Sequence, residues 1–587
     1  MDRHPLRVHS ENAPEGRSTA ARLCVFLALW ALSTAATAQA ILEGERHHPE
    51  EGRQGMVVTS HHQATDAALA VLESGGNAVD AAVTAGFVLA VVQPRSGNIG
   101  GGGFMLVAPG DGEPVEAIDY REKAPAAATE TMFQDANGNV VTNRSRFTHL
   151  ASGVPGTVSG FALALERHGT LSLSEALAPA IQLARDGFIV PPRFTEGLEQ
   201  ARERLHRWPA SRATFYRDDG SPWQPGERFR QPELAATLQR IADHGVSGFY
   251  EGETARLIVE EMQRNGGLIT AEDLENYQPA IREPVRGRYR GHEVFSMSPP
   301  SSGGTHIIQI LNILEDYPLA QLGHNSAATV HYMAEAMKLA YADRSKFLGD
   351  TDFVDVPLDG LLDKRYAAEL RKGIHADRAR PSSEIQPGDP NGYESPETTH
   401  YSIVDRWGNA VSNTYTINFS YGSGITVTGA GFLLNNEMDD FSAKPGEPNA
   451  FGLIGGAANK VEPGKRMLSS MSPTIVRKGG RNYLVTGSPG GSRIITTTLQ
   501  VILNVIDHNM NIQSAVDAPR MHHQWLPDAI FIEQGFSADT LRLLEDRGHT
   551  VKPTRAMGAI QSILIGEDGT LHGGADPRRS TSSAKGY

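Results

Sequence analysis

The sequence predicts an α+β protein, on three observations: alanine-rich helical runs early in the chain, alternating strand patterns after Thr398, and a composition that supports a buried core. Forty per cent of the 587 residues are hydrophobic and 21% are charged, as in folded globular proteins. The first helical runs are residues 64–73 and 78–92, separated by Ser74-Gly75-Gly76 and stopped by Pro94. Residues 326–346 form another, with Ser326 as N-cap. Met333, Ala334, Met337, Ala340 and Tyr341 share one face of it and are expected to be buried. Residues 380–397 are rich in Pro, Ser, Gly and Glu without periodicity, and read as a flexible segment. After it, Thr399, Tyr401 and Ile403 alternate with Thr398, His400, Ser402 and Val404. The run Asp405-Arg406-Trp407-Gly408-Asn409 has turn chemistry, and residues 410–417 alternate again. A hairpin symmetric about Trp407 pairs Val404 with Ala410, Ser402 with Ser412 and Thr398 with Thr416, with Asn418 continuing on the same face. Residues 473–476 and 483–486 pair around Lys478-Gly479-Gly480, and a helix follows from 494 to 507.

Composition also excludes function classes. A net charge of −14 offers no basic footprint, which argues against nucleic acid as a partner. Residues 23–38 are apolar and end in Ala36-Thr37-Ala38, a signal-peptide pattern too short for a membrane span of about 20 residues. The expectation is therefore an exported protein, periplasmic or secreted, without a stable membrane anchor. The single cysteine, Cys24, lies in that segment, so disulfides and cysteine catalysis are excluded after its removal. Glycine, 61 of 587 residues, clusters in short motifs where backbone approaches a ligand closely.

Two of those motifs carry chemistry. Ser488-Pro489-Gly490-Gly491-Ser492 sits between a strand and a helix, where successive N–H groups form an anion-binding concavity; a plain tight turn is the alternative. It is no serine-hydrolase elbow, because Gly487-Ser488 lacks the spacer. Thr398 opens the hairpin. A threonine hydroxyl is a poor nucleophile unless a base adjoins it, and a free α-amino group on the same residue, of pKa roughly 7.7–8, is one such base. That reading requires cleavage of the Glu397-Thr398 bond; an ordinary internal hairpin is the alternative. Arg121, after an extended segment, is either a surface ion pair with Asp119 or Glu122 or a bidentate carboxylate binder. The glycines at 100–103 lack nucleotide-binding context. The pairs His61-His62 and His522-His523 read as exposed or hydrogen-bonded histidines rather than metal ligands.

Several strings occur in the order that γ-glutamyltranspeptidases share. They are Gly100 to Phe104, Asp119-Tyr120-Arg121-Glu122, Pro299 to Gly304, Thr398-Thr399-His400-Tyr401-Ser402, Leu433 to Ser442, Leu468 to Thr474 and Gly487 to Arg493. From about Gly52 to Tyr587 the chain resembles that family. The resemblance implies an N-terminal nucleophile hydrolase fold, a four-layer αββα sandwich built from two subunits cut from one zymogen. The signal peptide would be residues 1–38, the large subunit 39–397 and the small subunit 398–587, the two forming a heterodimer. It implies Thr398 as nucleophile and Gly490 and Gly491 as oxyanion hole; the hairpin register, which sets Thr416 opposite Thr398, gives Thr416 as the support of that nucleophile. It implies Arg121, Ser469 and Ser470 on the substrate α-carboxylate, and Asn418, Glu437 and Asp440 on its α-ammonium. The substrates implied are glutathione and other γ-glutamyl compounds, with water, amino acids or dipeptides as acceptors and no cofactor or metal. Glu437 stands where many bacterial relatives have glutamine. Phe451 stands where many have a lid tyrosine, so a looser lid is expected.

Overall fold

In the computed structural model the described residues are 48–141, 143–388, 399–444 and 456–587. The expected signal segment 1–38, Thr398, the expected cleavage junction Glu397-Thr398 and Phe451, expected in a lid, lie outside them. Among the described residues no helix is long and apolar enough to cross a membrane.

The hairpin forms with the register its turn dictates. Thr399–Val404 and Ala410–Thr416 pair antiparallel, Val404 opposite Ala410, Ser402 opposite Ser412 and Thr399 opposite Tyr415. Gly408 adopts φ 78°, and Asp405 Oδ1 accepts the N–H groups of Trp407 and Asn409, closing the turn. Met56–Thr59 pairs with one side of this hairpin and Gly102–Ala108 with the other, at the centre of a seven-stranded sheet. A second seven-stranded sheet has Arg481–Thr486 and Thr474–Lys478 near its centre. That pair turns at Gly479-Gly480, both at positive φ, as the sequence predicts.

Three cores separate four layers. Tyr401, Ile403, Val411 and Tyr415 face the helices His62–Glu73, Ala78–Val92 and Thr157–His168. Val404, Ala410, Phe104, Ile475, Val485 and Ile563 pack between the two sheets. Val294, Val476 and Leu484 face the helices Gly303–Leu314, Ala327–Phe347 and Arg493–Ile506. The arrangement is helix, sheet, sheet, helix. The helix Ala78–Val92 has the predicted bounds, set by an Asn77–Asp80 capping box, and is buried along its whole length.

The alternating hairpin is buried on both faces along both strands. Its polar residues bond across the sheets, Ser402 Oγ to the Gln561 carbonyl at 3.0 Å and Ser412 Oγ to the Thr486 carbonyl at 3.1 Å. The helix Ala327–Phe347, capped by Ser326, buries nearly its whole circumference rather than one stripe, because it lies in an outer layer that further chain covers. That cover includes residues 380–388, read as flexible but packed here, with Ser382 and Ile385 buried and Trp525 Nε1 donating to the Ser382 carbonyl at 3.0 Å.

Candidate active site

The hairpin face that carries Ala410, Ser412, Thr414 and Thr416 points at the second sheet. Thr416, its last strand residue, is buried, and its hydroxyl accepts the Asn418 N–H at 2.8 Å. Its carbonyl accepts from Asn98 Nδ2 at 2.9 Å. The strand ends there. Asn418 takes φ 68°, leaving the extended face along which it was expected to continue, and its Nδ2 donates to the Asn436 carbonyl at 3.0 Å. That contact joins the hairpin to the turn Glu437–Asp440.

Arg121 reaches the same turn from the end of the strand Glu116–Asp119. Its guanidinium is fully buried; Nη1 donates to Glu437 Oε1, Nη2 to Asp440 Oδ2 at 2.5 Å and Nε to the Met467 carbonyl at 3.2 Å. Both prongs of the fork are thus held by residues 316 and 319 positions away. Glu122 lies 3.7 Å from Nη1 and has no hydrogen-bond partner among the described residues. One guanidinium therefore faces three buried carboxyls. Glu437 Oε2 and Asn418 Oδ1 are buried acceptors without a hydrogen-bond partner among the described residues. The shape of that turn is set by Asn435, whose Oδ1 accepts the N–H groups of Glu437 at 3.0 Å and Gly153 at 2.9 Å.

Met467 leads into the serines. Ser469 is fixed by Pro300 and Ser302 through main-chain bonds of 2.8 Å each, and Ser470 Oγ accepts from Arg344 Nη2 at 2.5 Å. Gly490 and Gly491 sit at φ 137° and 68° just before the helix Arg493–Ile506, a conformation that side chains oppose. The loop is seated on the hairpin at Gly487, where an added Cβ would lie 2.5 Å from the His400 ring.

The structure therefore bonds Arg121 directly to Glu437 and Asp440, joins Thr416 and Asn418 to their turn through the Asn436 carbonyl, and ties the chain leading to Ser469 and Ser470 to Arg121 at the Met467 carbonyl. The loop of Gly490 and Gly491 meets the hairpin at His400, through Gly487. Sequence reading gave Glu122 only as a surface ion-pair partner of Arg121, and it passed over Asn435, which lies inside a quoted string, and Ser60 and Gln93. The last two hold Thr399 Oγ1, at 3.0 and 3.2 Å, and carry no local signal. The histidine pair at 522–523 is buried and hydrogen-bonded, with His522 Nδ1 at 2.9 Å from Thr496 Oγ1. A cavity of about 660 Å³ lined by Trp208, Leu234, Arg264 and Thr428 lies apart; no site residue lines it.

Burial pushes the Glu122 carboxyl up to about 8, against the pull of Arg121, and pushes Glu437 well above the usual carboxylate range. The folded Glu122 then holds a proton that the unfolded chain releases, so this group's contribution to stability falls as pH rises from about 4.5 to about 8. Glu122→Gln is expected to flatten that fall and to stabilise the fold at pH 8 by on the order of a few kcal/mol relative to wild type. Urea midpoints of both proteins at pH 5 and 8 check it; parallel pH trends would show that Glu122 does not titrate in this window.

A family profile described as gamma-glutamyltranspeptidase matches residues 64–586. The chain is 52% identical over 547 residues to a glutathione hydrolase proenzyme of Escherichia coli (strain K12), covering 93% of this chain and 94% of the relative. It resembles the crystal structure of Helicobacter pylori gamma-glutamyltranspeptidase at 47% identity and a TM-score of 0.56, over 59% of this chain and 97% of that one. It also resembles a cephalosporin acylase from Bacillus halodurans at 28% identity and a TM-score of 0.82, over 94% of this chain and 99% of the other.

Proposed function

Because this chain belongs to the γ-glutamyltranspeptidase family, we propose that it transfers the γ-glutamyl group of glutathione and related donors to water, amino acids or dipeptides. Its αββα sandwich is that of the N-terminal nucleophile hydrolases. The precursor cuts itself at Glu397-Thr398, giving a large subunit of residues 39–397 and a small subunit of 398–587. The new α-amino group of Thr398 accepts the proton as Oγ attacks the γ-glutamyl carbonyl, and the amine or thiol-bearing peptide leaves with that proton. Charge developing on the carbonyl oxygen is met by the Gly490 and Gly491 N–H groups. Water or an acceptor amine then takes the acyl group and restores Thr398. Thr416, which the symmetric hairpin expected from the sequence pairs with Thr398, steadies the nucleophile.

The single observation that carries this reading is the buried Arg121 fork held by Glu437 and Asp440. A free γ-glutamyl head group is a zwitterion. Its carboxylate can take Arg121 together with Ser469 and Ser470, while its ammonium takes Glu437, Asp440 and Asn418, so no buried charge is left without a partner. A donor lacking either charge opens the same ion pairs without replacing them, a loss of about 2–5 kcal/mol. The γ-glutamyl anilide is therefore expected to turn over, faster with glycylglycine, while its N-acetyl form falls at least 30-fold in kcat/KM. Equal turnover of the two would favour the second reading, a β-lactam side-chain acylase, for which the cephalosporin acylase likeness is the supporting observation. Residues 1–38 serve export, and Phe451, without a hydroxyl to latch the lid, favours hydrolysis over transfer.

A further inference from the structure

A second cluster of ligand-bearing side chains lies away from the active site, on the helix Ala327–Phe347. His331 and Glu335 stand one turn apart on it, and His549 enters from beyond the helix Ala538–Asp546. All three are buried. His331 Nδ1 lies 2.8 Å from His549 Nε2, and one ligand atom from each residue falls within 4.8 Å of the others. His331 Nε2 is 2.6 Å from the His375 carbonyl oxygen. A carbonyl only accepts, so that nitrogen carries the ring proton and Nδ1 presents a lone pair toward His549 and Glu335. Anchoring the far ring nitrogen on a backbone carbonyl is the arrangement that orients metal-bound histidines. Glu335 supplies an anionic oxygen, now paired with Lys338 Nζ at 2.5 Å, and the same ammonium donates to the Arg380 carbonyl at 2.6 Å.

We infer that His331 Nδ1, His549 Nε2 and the Glu335 carboxylate form a binding site for a divalent transition-metal ion, with Zn²⁺ the fitting choice. Two imidazoles and one carboxylate suit zinc in preference to calcium or magnesium, which take oxygen ligands. Tetrahedral bonds of about 2.0–2.1 Å set two ligand nitrogens about 3.3 Å apart. The rings, 2.8 Å apart at these atoms, must therefore part by about half an ångström. The proton between them passes to His549 Nδ1 as that ring changes tautomer, so no net proton or electron is exchanged. Lys338 gives up Glu335 and keeps the Arg380 carbonyl. It acts as an internal competitor, a cation already placed on the metal's carboxylate. If the chain is cut at Glu397-Thr398, as proposed above, His331 and Glu335 belong to one subunit and His549 to the other, and the ion ties the two together.

The test uses the purified mature protein stripped by chelator and titrated with Co²⁺, then Zn²⁺. One equivalent of Co²⁺ per chain is expected, with visible absorption bands that Zn²⁺ abolishes. Lys338→Met should tighten binding at least tenfold, while His331→Gln and His549→Gln each weaken it at least tenfold. Metal-free melting of each variant separates loss of the site from loss of the fold, and the gain expected of Lys338→Met needs no damaged ligand. Absence of the bands in wild type, bands that survive both histidine changes, or an unchanged affinity in Lys338→Met would each overturn the assignment. The subunit tie is read separately: Zn²⁺ should raise the urea concentration at which the two chains separate. Failure there with binding intact would count against the cleavage position alone.

Discussion

Thr398→Ala is expected to leave one uncut polypeptide with no measurable γ-glutamyl transfer, a loss of at least ~10⁴-fold, because both the nucleophile and the cleavage that frees its amine are removed together. The wild type should give two bands on a denaturing gel, and sequencing of the smaller should begin Thr-Thr-His-Tyr. Any other first residue would displace the nucleophile from Thr398. Thr416→Ala is a milder change. The backbone pairing of its strand does not use the hydroxyl, so the hairpin should form without it while cutting and turnover slow, and Thr416→Ser should restore both. Full rates in Thr416→Ala would show that opposition across the register does not reach the chemistry.

Arg121→Lys should lower kcat/KM by about 10²–10³-fold, chiefly through KM, although the formal charge is kept. The guanidinium spans Glu437 and Asp440 with two nitrogens and touches the Met467 carbonyl with a third. A lysine ammonium is one point and can satisfy only part of that set, leaving a buried carboxylate without its partner, at a cost of about 2–5 kcal/mol. Asp440→Asn, which keeps the shape and removes the charge, should weaken donor binding by a similar mechanism. It should also narrow the gap between free and N-acetylated donors. Steady-state kinetics of both variants with the two donors measure this. A loss below tenfold in Arg121→Lys would mean that the fork is structural and that the donor head group binds elsewhere.

Much of the site's local geometry was legible in the chain. The hairpin register followed from a five-residue turn whose ends must meet, and its backbone bonds reach no further than their own strands. Asn77 and Pro94 bracket the helix Ala78–Val92 because capping and the missing proline donor act within one turn. The glycines at 490 and 491 were legible as a turn between strand and helix, and the structure adds their positive φ. Their meaning, and that of Arg121, came from motifs held in a known order rather than from spacing.

Sequence alone therefore determined the α+β class, the hairpin and its register, the main helix bounds and the residues that carry the family motifs. Tertiary structure decided what each face meets. Period two says only that neighbouring side chains point opposite ways, so it could not tell a wet face from the second sheet that covers Ser402 and Ser412. Nor could it place Arg121 between Glu437 and Asp440, more than 300 residues on, or bring His549 to His331 across 218. Backbone bonding and capping are settled within a few residues. The pairing of buried charges is settled only when distant segments share one dry interior, where each must find the other or lose the water that solvated it.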